Sequence, residues 1–199
     1  MKRYIKSAIL PVSNEDIDAR MDIALNPNTP VDVLNELADD KDSDVRLCVV
    51  VNPSTPKDTI DKLLFVDKNI GFSELRFLEK VALCMETPPD ILAKLSQYAD
   101  DSVRFAVAKN PHTPIIALNA LANDDNPAIR WTVADNVSTP ADTLILLAGD
   151  MYNVSVRAAV AENLNTPIDT LKTLLNDPDG VVRSMAKRTY NRRLHNGSI

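Results

Sequence analysis

Apolar residues along the chain follow a pattern that returns about every 26 residues. Each unit contains a segment of the form VRxxVA, in which two apolar residues stand four positions apart, as Val103 and Val107 do. Residues four apart lie on one face of an α-helix, so this pattern predicts a helix that buries that face. A second segment carries leucines three positions apart, such as Leu118 and Leu121. The pattern therefore predicts a series of short helix pairs.

One position of the repeat, which we call the anchor, lies three residues before a Thr-Pro pair in each full unit. The anchors are Asn26, Asn52, Cys84, Asn110, Asn136 and Asn163, with Thr189 in the equivalent place of a last half-unit. They are separated by 26, 32, 26, 26, 27 and 26 residues. The separation of 32 indicates an irregular insertion near residues 64–74, with a turn at Gly71.

The repeats define a predicted domain organisation. About seven repeats of about 26 residues occupy residues 17–190 of a single domain that covers residues 1–199. Residues 1–16 are predicted to form an N-terminal cap and residues 191–199 a C-terminal tail, because the terminal units of a repeat stack are atypical.

Thr-Pro pairs mark where the first helix of each unit begins. We predict that the threonine caps this helix and that the proline occupies its first turn, as in Thr29-Pro30. An aspartate follows three residues after most of these threonines, in the position of a capping box, as Asp32 does. Asn-Pro pairs then end the second helix. Helices this short are unstable alone in water, so the units must stack on one another.

The full repeat reads Val-Arg-x-x-Val-Ala-x-Asn-Pro-x-Thr-Pro-x-x-x-Leu-x-x-Leu-Ala-x-Asp. This motif resembles the leucine-rich repeat variant family and is similar to a shortened HEAT repeat. The resemblance implies an all-α fold, a right-handed α-solenoid in which helices alternate with shorter helices of α or 3₁₀ type. Some relatives carry an iron–sulfur cluster in a cysteine-rich N-terminal region. This chain has only Cys48 and Cys84, so no cluster or other cofactor is predicted.

Arginine stands six residues before most anchors, and aspartate fourteen residues after most of them. The spacing predicts a ladder of inter-helix pairs: Asp40 with Arg46, Asp124 with Arg130, Asp150 with Arg157, and Asp177 with Arg183. The third unit has Leu78 and Val66 in these places, so both members are lost together, whereas Tyr98 before Arg104 does not fit the pairing. The alternative is a row of arginines that binds phosphate or an acidic peptide.

Two positions of the second helix, five and one before the anchor, change character between units. We call these positions the variable stripe. Its candidate partner-binding residues are Met21, Leu25, Leu47, Val51, Phe105, Lys109, Trp131 and Asp135. One interpretation is that these side chains complete the core. The other is that they line a groove in which Phe105 and Trp131 are adjacent anchors for a peptide or helix.

Charge and composition narrow the function classes. The net charge is −6, and the positive charges concentrate at the two ends, which leaves an acidic middle that argues against nucleic acid. No run of eighteen apolar residues predicts a membrane span. With two cysteines, two histidines and isolated glycines, the sequence contains no pattern for a metal site, a catalytic nucleophile or a phosphate-binding loop.

The sequence therefore predicts a cytoplasmic, non-catalytic scaffold that binds a protein or peptide partner along the variable stripe. Two alternatives remain open at this stage. The first is a HEAT-like protein that binds DNA and excises damaged bases, with Trp131 and the arginine row on a concave face. The second is a structural module that self-assembles as a homo-oligomer through the apolar N-terminal part of the stripe.

Overall fold

The structure is a computed structural model that describes residues 16–64 and 72–195. The chain divides into two compact units, residues 1–88 and 89–199. The first unit contains α1 (Ile17–Leu25), α2 (Val31–Leu37), α3 (Ser43–Val51), α4 (Lys57–Leu64) and α5 (Phe72–Leu83). The second contains α6 (Pro89–Leu95), α7 (Asp101–Lys109), α8 (Ile115–Leu121), α9 (Pro127–Asp135), α10 (Ala141–Ala148), α11 (Val154–Glu162), α12 (Ile168–Leu174) and α13 (Gly180–His195).

Helix pairs stack within each unit. In the first unit, α3 packs against both α1 and α5, and the shorter α2 and α4 pack against α3. In the second unit, α7, α9, α11 and α13 pack in sequence, while α6 packs on α8 and α10 on α12. This is the arrangement of an α-solenoid, so the predicted fold class is confirmed. Its right-handedness stays a prediction.

Every element in the described residues is an α-helix, and the shorter helix of each pair is α rather than 3₁₀. The apolar columns of the repeat form the core. Val103 and Val107 are fully buried, as are Leu118 and the pair Val156 and Val160. Burying an aliphatic side chain of this size stabilises the fold by about 1.5–3 kcal/mol. The stacked units thus bury the faces that isolated short helices would expose.

The predicted start of the first helix is wrong by one residue. The N-cap is the proline, since Pro30, Pro114, Pro140 and Pro167 have an extended backbone and the helix begins after them. The threonine hydroxyl does not cap this helix. Thr166 Oγ1 instead donates to the backbone carbonyl of Val160 at 2.6 Å, and Thr55 does the same to Val49. The threonine therefore satisfies a carbonyl at the end of the preceding helix, where carbonyls lack intrahelical partners.

Side-chain caps occur on the second helices, where the sequence analysis did not predict them. Asp42 Oδ1 accepts from the backbone N–H of Asp44, Asp100 Oδ1 from that of Ser102, and Asn126 Oδ1 from that of Ala128. These residues have the extended backbone of an N-cap. The aspartates of the first helices, such as Asp32, lie in the first turn, where the helix dipole favours a negative charge.

Several predicted boundaries fall at the edges of the described residues. The N-terminal cap at 1–16 lies outside them except for Asp16, whose carboxylate caps α1. The insertion near 64–74 includes residues 65–71, Gly71 among them, which also lie outside. Of the predicted tail at 191–199, residues 191–195 belong to α13 and the others lie outside the described residues. The prediction of one repeat domain over 1–199 stays a prediction.

Candidate partner-binding surface

The anchor asparagines hold consecutive second helices together. Asn136 Nδ2 donates to the backbone carbonyls of Ala108 and Asn110, at 2.7 and 2.9 Å, near the C-terminal end of the preceding second helix. Asn52 and Asn163 make the equivalent pairs of bonds within their units. The sequence analysis treated the asparagine only as a helix stop. Its retention at positions 136 and 163, where no proline follows, was the available signal for a second role.

The arginines and aspartates form a ladder whose pairing differs from the predicted one. Each carboxylate pairs with the arginine 20 residues earlier, in the preceding repeat: Arg20 with Asp40, Arg104 with Asp124, Arg130 with Asp150, and Arg157 with Asp177, at 2.7–2.9 Å. The partner predicted from spacing is contacted through its backbone. Nη1 of Arg46, Arg130, Arg157 and Arg183 donates to the carbonyls of Asp40, Asp124, Asp150 and Asp177 at 2.6–2.7 Å.

This register removes the anomaly at Tyr98. The residue 20 positions after Leu78 is Tyr98, so this pair lacks both the arginine and the aspartate. The residue 20 positions after Arg46 is Val66, so this pair lacks only the aspartate. The guanidinium of Arg46 lies over the Phe77 ring, 4.9 Å from its centroid, which supplies a cation–π contact in place of a carboxylate. The signal was present in the sequence. The spacing of 20 is constant in the four pairs, whereas the spacing within a repeat is six or seven.

Burial strengthens the ladder at Arg157 and Asp177, whose side chains are 9% and 5% exposed. Hydrogen bonds from Arg157 lower the pKa of Asp177, and the bonds to Asp177 raise the pKa of Arg157. Asp124 raises the pKa of Arg104 in the same way. Because these guanidinium groups are paired with carboxylates between repeats, the ladder contributes to stacking and presents little net positive charge for phosphate.

The variable stripe lies at the surface. Phe105 is 37% exposed, Trp131 is 40% exposed and Leu25 is 48% exposed. Lys109 and Asp135 are also exposed, whereas Met21, Leu47 and Val51 are partly buried. None of these eight side chains is fully buried. The core interpretation applies to Met21, which packs against the core of the first unit, whereas Phe105 and Trp131 are exposed.

The stripe residues form two groups. Met21, Leu25, Leu47 and Val51 lie on the neighbouring helices α1 and α3 of the first unit. Phe105, Lys109, Trp131 and Asp135 lie on the neighbouring helices α7 and α9 of the second unit. In the second group, each aromatic ring is followed four residues later by an exposed charge, Lys109 or Asp135, so that ring and charge share a helix face.

A second set of exposed apolar residues was not predicted. Ile115 and Ile116 of α8 are 59% and 72% exposed, and Ile145 and Leu146 of α10 are 50% and 51% exposed. They lie on first helices rather than second ones. Ile115 stands five residues after its anchor, and the same position holds the polar Lys57 in another unit. The sequence signal for this apolar set was therefore weak.

The described part of the chain contains neither a cluster of metal ligands nor a helix that could cross a membrane. No cluster of three or more metal-ligating side chains occurs among residues 16–64 and 72–195. Within the same ranges, the longest apolar helical segments are too short or too polar for a membrane crossing. Cys48 and Cys84 are not joined by a disulfide, and burial raises the pKa of each thiol.

The fold and the inter-repeat contacts define an all-α repeat protein of the solenoid class. A family model for the leucine rich repeat variant matches residues 155–179. A solved structure described as a leucine-rich repeat variant with a novel repetitive protein structural motif is 25% identical, with a TM-score of 0.55. The match covers 87% of this chain and 66% of that chain. A search of curated proteins found no match. These findings show that the chain is similar to leucine-rich repeat variant proteins, in agreement with the resemblance seen in the sequence.

Proposed function

We propose that the chain is a non-catalytic, cytoplasmic scaffold that binds a protein or peptide along the variable stripe. The observation that carries this proposal is the exposure of Phe105 and Trp131 on neighbouring helices. The side chains common to most units hold the fold together: valines in the core, threonines and asparagines on backbone carbonyls, and arginines on carboxylates. The residues left for recognition are those that differ between units.

Aromatic side chains at this exposure are suited to binding. Each is already partly covered by the protein, so ordering it on a partner costs little conformational entropy. Tryptophan and other large aromatic residues supply most of the binding energy at many protein interfaces. Lys109 and Asp135 flank the rings with opposite charges, which would fix the register of a bound segment and disfavour wrong partners.

The DNA-binding alternative has less support. The arginines expected to contact phosphate are paired with Asp40, Asp124, Asp150 and Asp177. Binding phosphate would require breaking these pairs in an acidic protein, and a broken buried pair is costly.

Site-specific crosslinking tests the proposal. The photoreactive residue p-benzoylphenylalanine would replace Phe105 in one variant and Trp131 in another, and the protein would be irradiated in its native cells. The matched control places the same residue at Ile116, which is 72% exposed and lies on α8. We expect the two stripe positions to capture the same protein species and the control position to capture neither.

Two outcomes would contradict the proposal. Equal capture at position 116 would mean that the stripe has no special role. Crosslinks only to further copies of this chain would favour the self-assembly alternative, which light scattering over a range of protein concentrations would then check.

A further inference from the structure

The loop between α10 and α11 departs from the repeat. Its unit is 27 residues long, and the extra residue lies between Asp150 and Asn153. The two loop residues, Met151 and Tyr152, are 81% and 95% exposed. In other units the residue after the ladder aspartate is polar or proline, as at Asp125. A loop insertion that exposes two large apolar side chains on a rigid stack is a common place for function.

The Arg–Asp pair beside the insertion also differs from the other three pairs of the ladder. Asp150 Oδ1 accepts from the backbone N–H groups of Tyr152 and Asn153, at 3.2 and 3.1 Å. Arg130 reaches the Asp150 carboxylate only through Nε, which donates to Oδ2 at 2.9 Å. In the other three pairs a second bond joins Nη2 to Oδ1, for example from Arg157 to Asp177 at 3.1 Å. Within the described residues, Nη2 of Arg130 has no hydrogen-bond acceptor, and its side chain is 19% exposed.

This guanidinium lines an open cleft of about 450 Å³ beside the inserted loop. The other lining residues include Asp125, Leu146, Met151 and Tyr152. The volume falls in the range of small-ligand sites, about 300–1,000 Å³. We call this the loop cleft. It lies entirely within the second unit, and none of its lining residues belongs to the variable stripe.

The charges around the loop cleft select the ligand. Arg130 pairs with Asp150, and Arg104 pairs with Asp124, so these charges balance. Asp125 is exposed and adds a negative charge at the cleft. The Asp125 carboxylate would repel an anion bound at Nη2 of Arg130, whereas it would not repel a neutral carbonyl. A cation on the same ligand would be attracted to Asp125.

We propose that the loop cleft is a second binding site, for an extended peptide segment in which an apolar residue stands next to a lysine or arginine. A peptide carbonyl accepts from Nη2 of Arg130. The apolar side chain contacts Leu146 and Met151, with the ring of Tyr152 over it, and the peptide cation lies beside Asp125. This site is independent of the proposed function of the variable stripe.

Methyl NMR on the full chain tests this site with two synthetic probes, acetyl-Ala-Leu-Lys-Ala-amide and its counterpart with glutamate in place of lysine. We expect the lysine peptide to shift the Met151 methyl resonance at millimolar concentrations. The glutamate peptide should bind about tenfold more weakly, because its charge faces Asp125.

Three variants make the test specific. Deletion of Tyr152 restores the regular repeat length and keeps the Met151 reporter, so binding of the lysine peptide should be lost. Asp125→Asn should reduce the preference for lysine over glutamate. The pair Phe105→Ala with Trp131→Ala should leave the Met151 shift unchanged, which separates this site from the variable stripe.

The proposal is overturned if neither peptide shifts Met151, or if the glutamate peptide binds as tightly as the lysine peptide. Retained binding after deletion of Tyr152 would also overturn it, with circular dichroism checking the fold. Should that deletion prevent folding, Asp125→Asn decides, because Asp125 is an exposed loop residue whose replacement leaves the core intact.

Discussion

Replacing Asp177 by alanine tests whether the Arg–Asp ladder holds neighbouring repeats together. Asp177 accepts two hydrogen bonds from Arg157, at 2.7 Å from Nε and 3.1 Å from Nη2. It also accepts from the backbone N–H of Asp179 at 2.8 Å. The substitution Asp177→Ala removes all three hydrogen bonds and leaves the buried guanidinium of Arg157 without its counter-charge.

The cost follows from burial. Removing one partner of a buried ion pair destabilises a protein by about 3–5 kcal/mol. Arg157 is 9% exposed and keeps a bond from Nη1 to the carbonyl of Asp150, so water and backbone offset part of the loss. We therefore expect the lower end, about 3 kcal/mol. For a chain of this size this corresponds to a fall in Tm of roughly 6–12 °C.

The measurement is urea unfolding followed by far-UV circular dichroism. Asp169→Ala is the matched control, because Asp169 pairs with Lys172 on one helix and is 92% exposed. It should change the midpoint far less, since exposed pairs contribute little. The double variant Arg157→Met with Asp177→Ala should recover part of the loss, because no unpaired buried charge remains. If Asp177→Ala and Asp169→Ala unfold at the same midpoint, the ladder does not stabilise the stack.

Two further predictions concern the same stacking contacts. Arg157 lowers the folded-state pKa of Asp177 below the value of about 3.9 for an unperturbed aspartate, so its contribution is present above that pH and is lost as pH falls through the folded pKa. Below about pH 4 the free energy of unfolding of the wild type should therefore fall more steeply with decreasing pH than that of Asp177→Ala. Identical slopes would refute the lowered pKa. Thr166→Val removes the buried donor to the Val160 carbonyl and should cost about 1 kcal/mol in urea unfolding. The same change at the exposed Thr173 is its control, and an equal effect at both sites would contradict the assigned role.

Much of the fold was predictable because the spacing of apolar residues within a helix indicates which of its faces is buried. The i, i+4 valines and the leucine columns identify the buried face of each helix, and short helices with one such face can persist only when stacked. The capping detail was less accessible. Thr-Pro favours a helix start in isolation. The nearby carbonyl of the preceding helix instead takes the threonine hydroxyl, so the proline becomes the cap.

The candidate site was only partly predictable for the same reason. The variable columns could be picked out by comparing units, but their exposure depends on how the second helices pack, so Phe105 and Trp131 could equally have completed the core. Met151 and Tyr152 gave a signal in the extra residue of their unit. The single bond between Arg130 and Asp150 at this loop became visible only in the contacts of the folded chain.

The amino-acid sequence by itself determined that this protein is a stack of short helix pairs, because repeated apolar spacing permits no other way to bury those faces. The tertiary structure decided which aspartate each arginine meets, where the threonine and asparagine side chains donate, and which columns face water. The arginine and asparagine partners lie about a repeat apart along the chain, and the threonine acceptor lies on the preceding helix. Their distances are fixed by packing between helices rather than by the sequence within one helix.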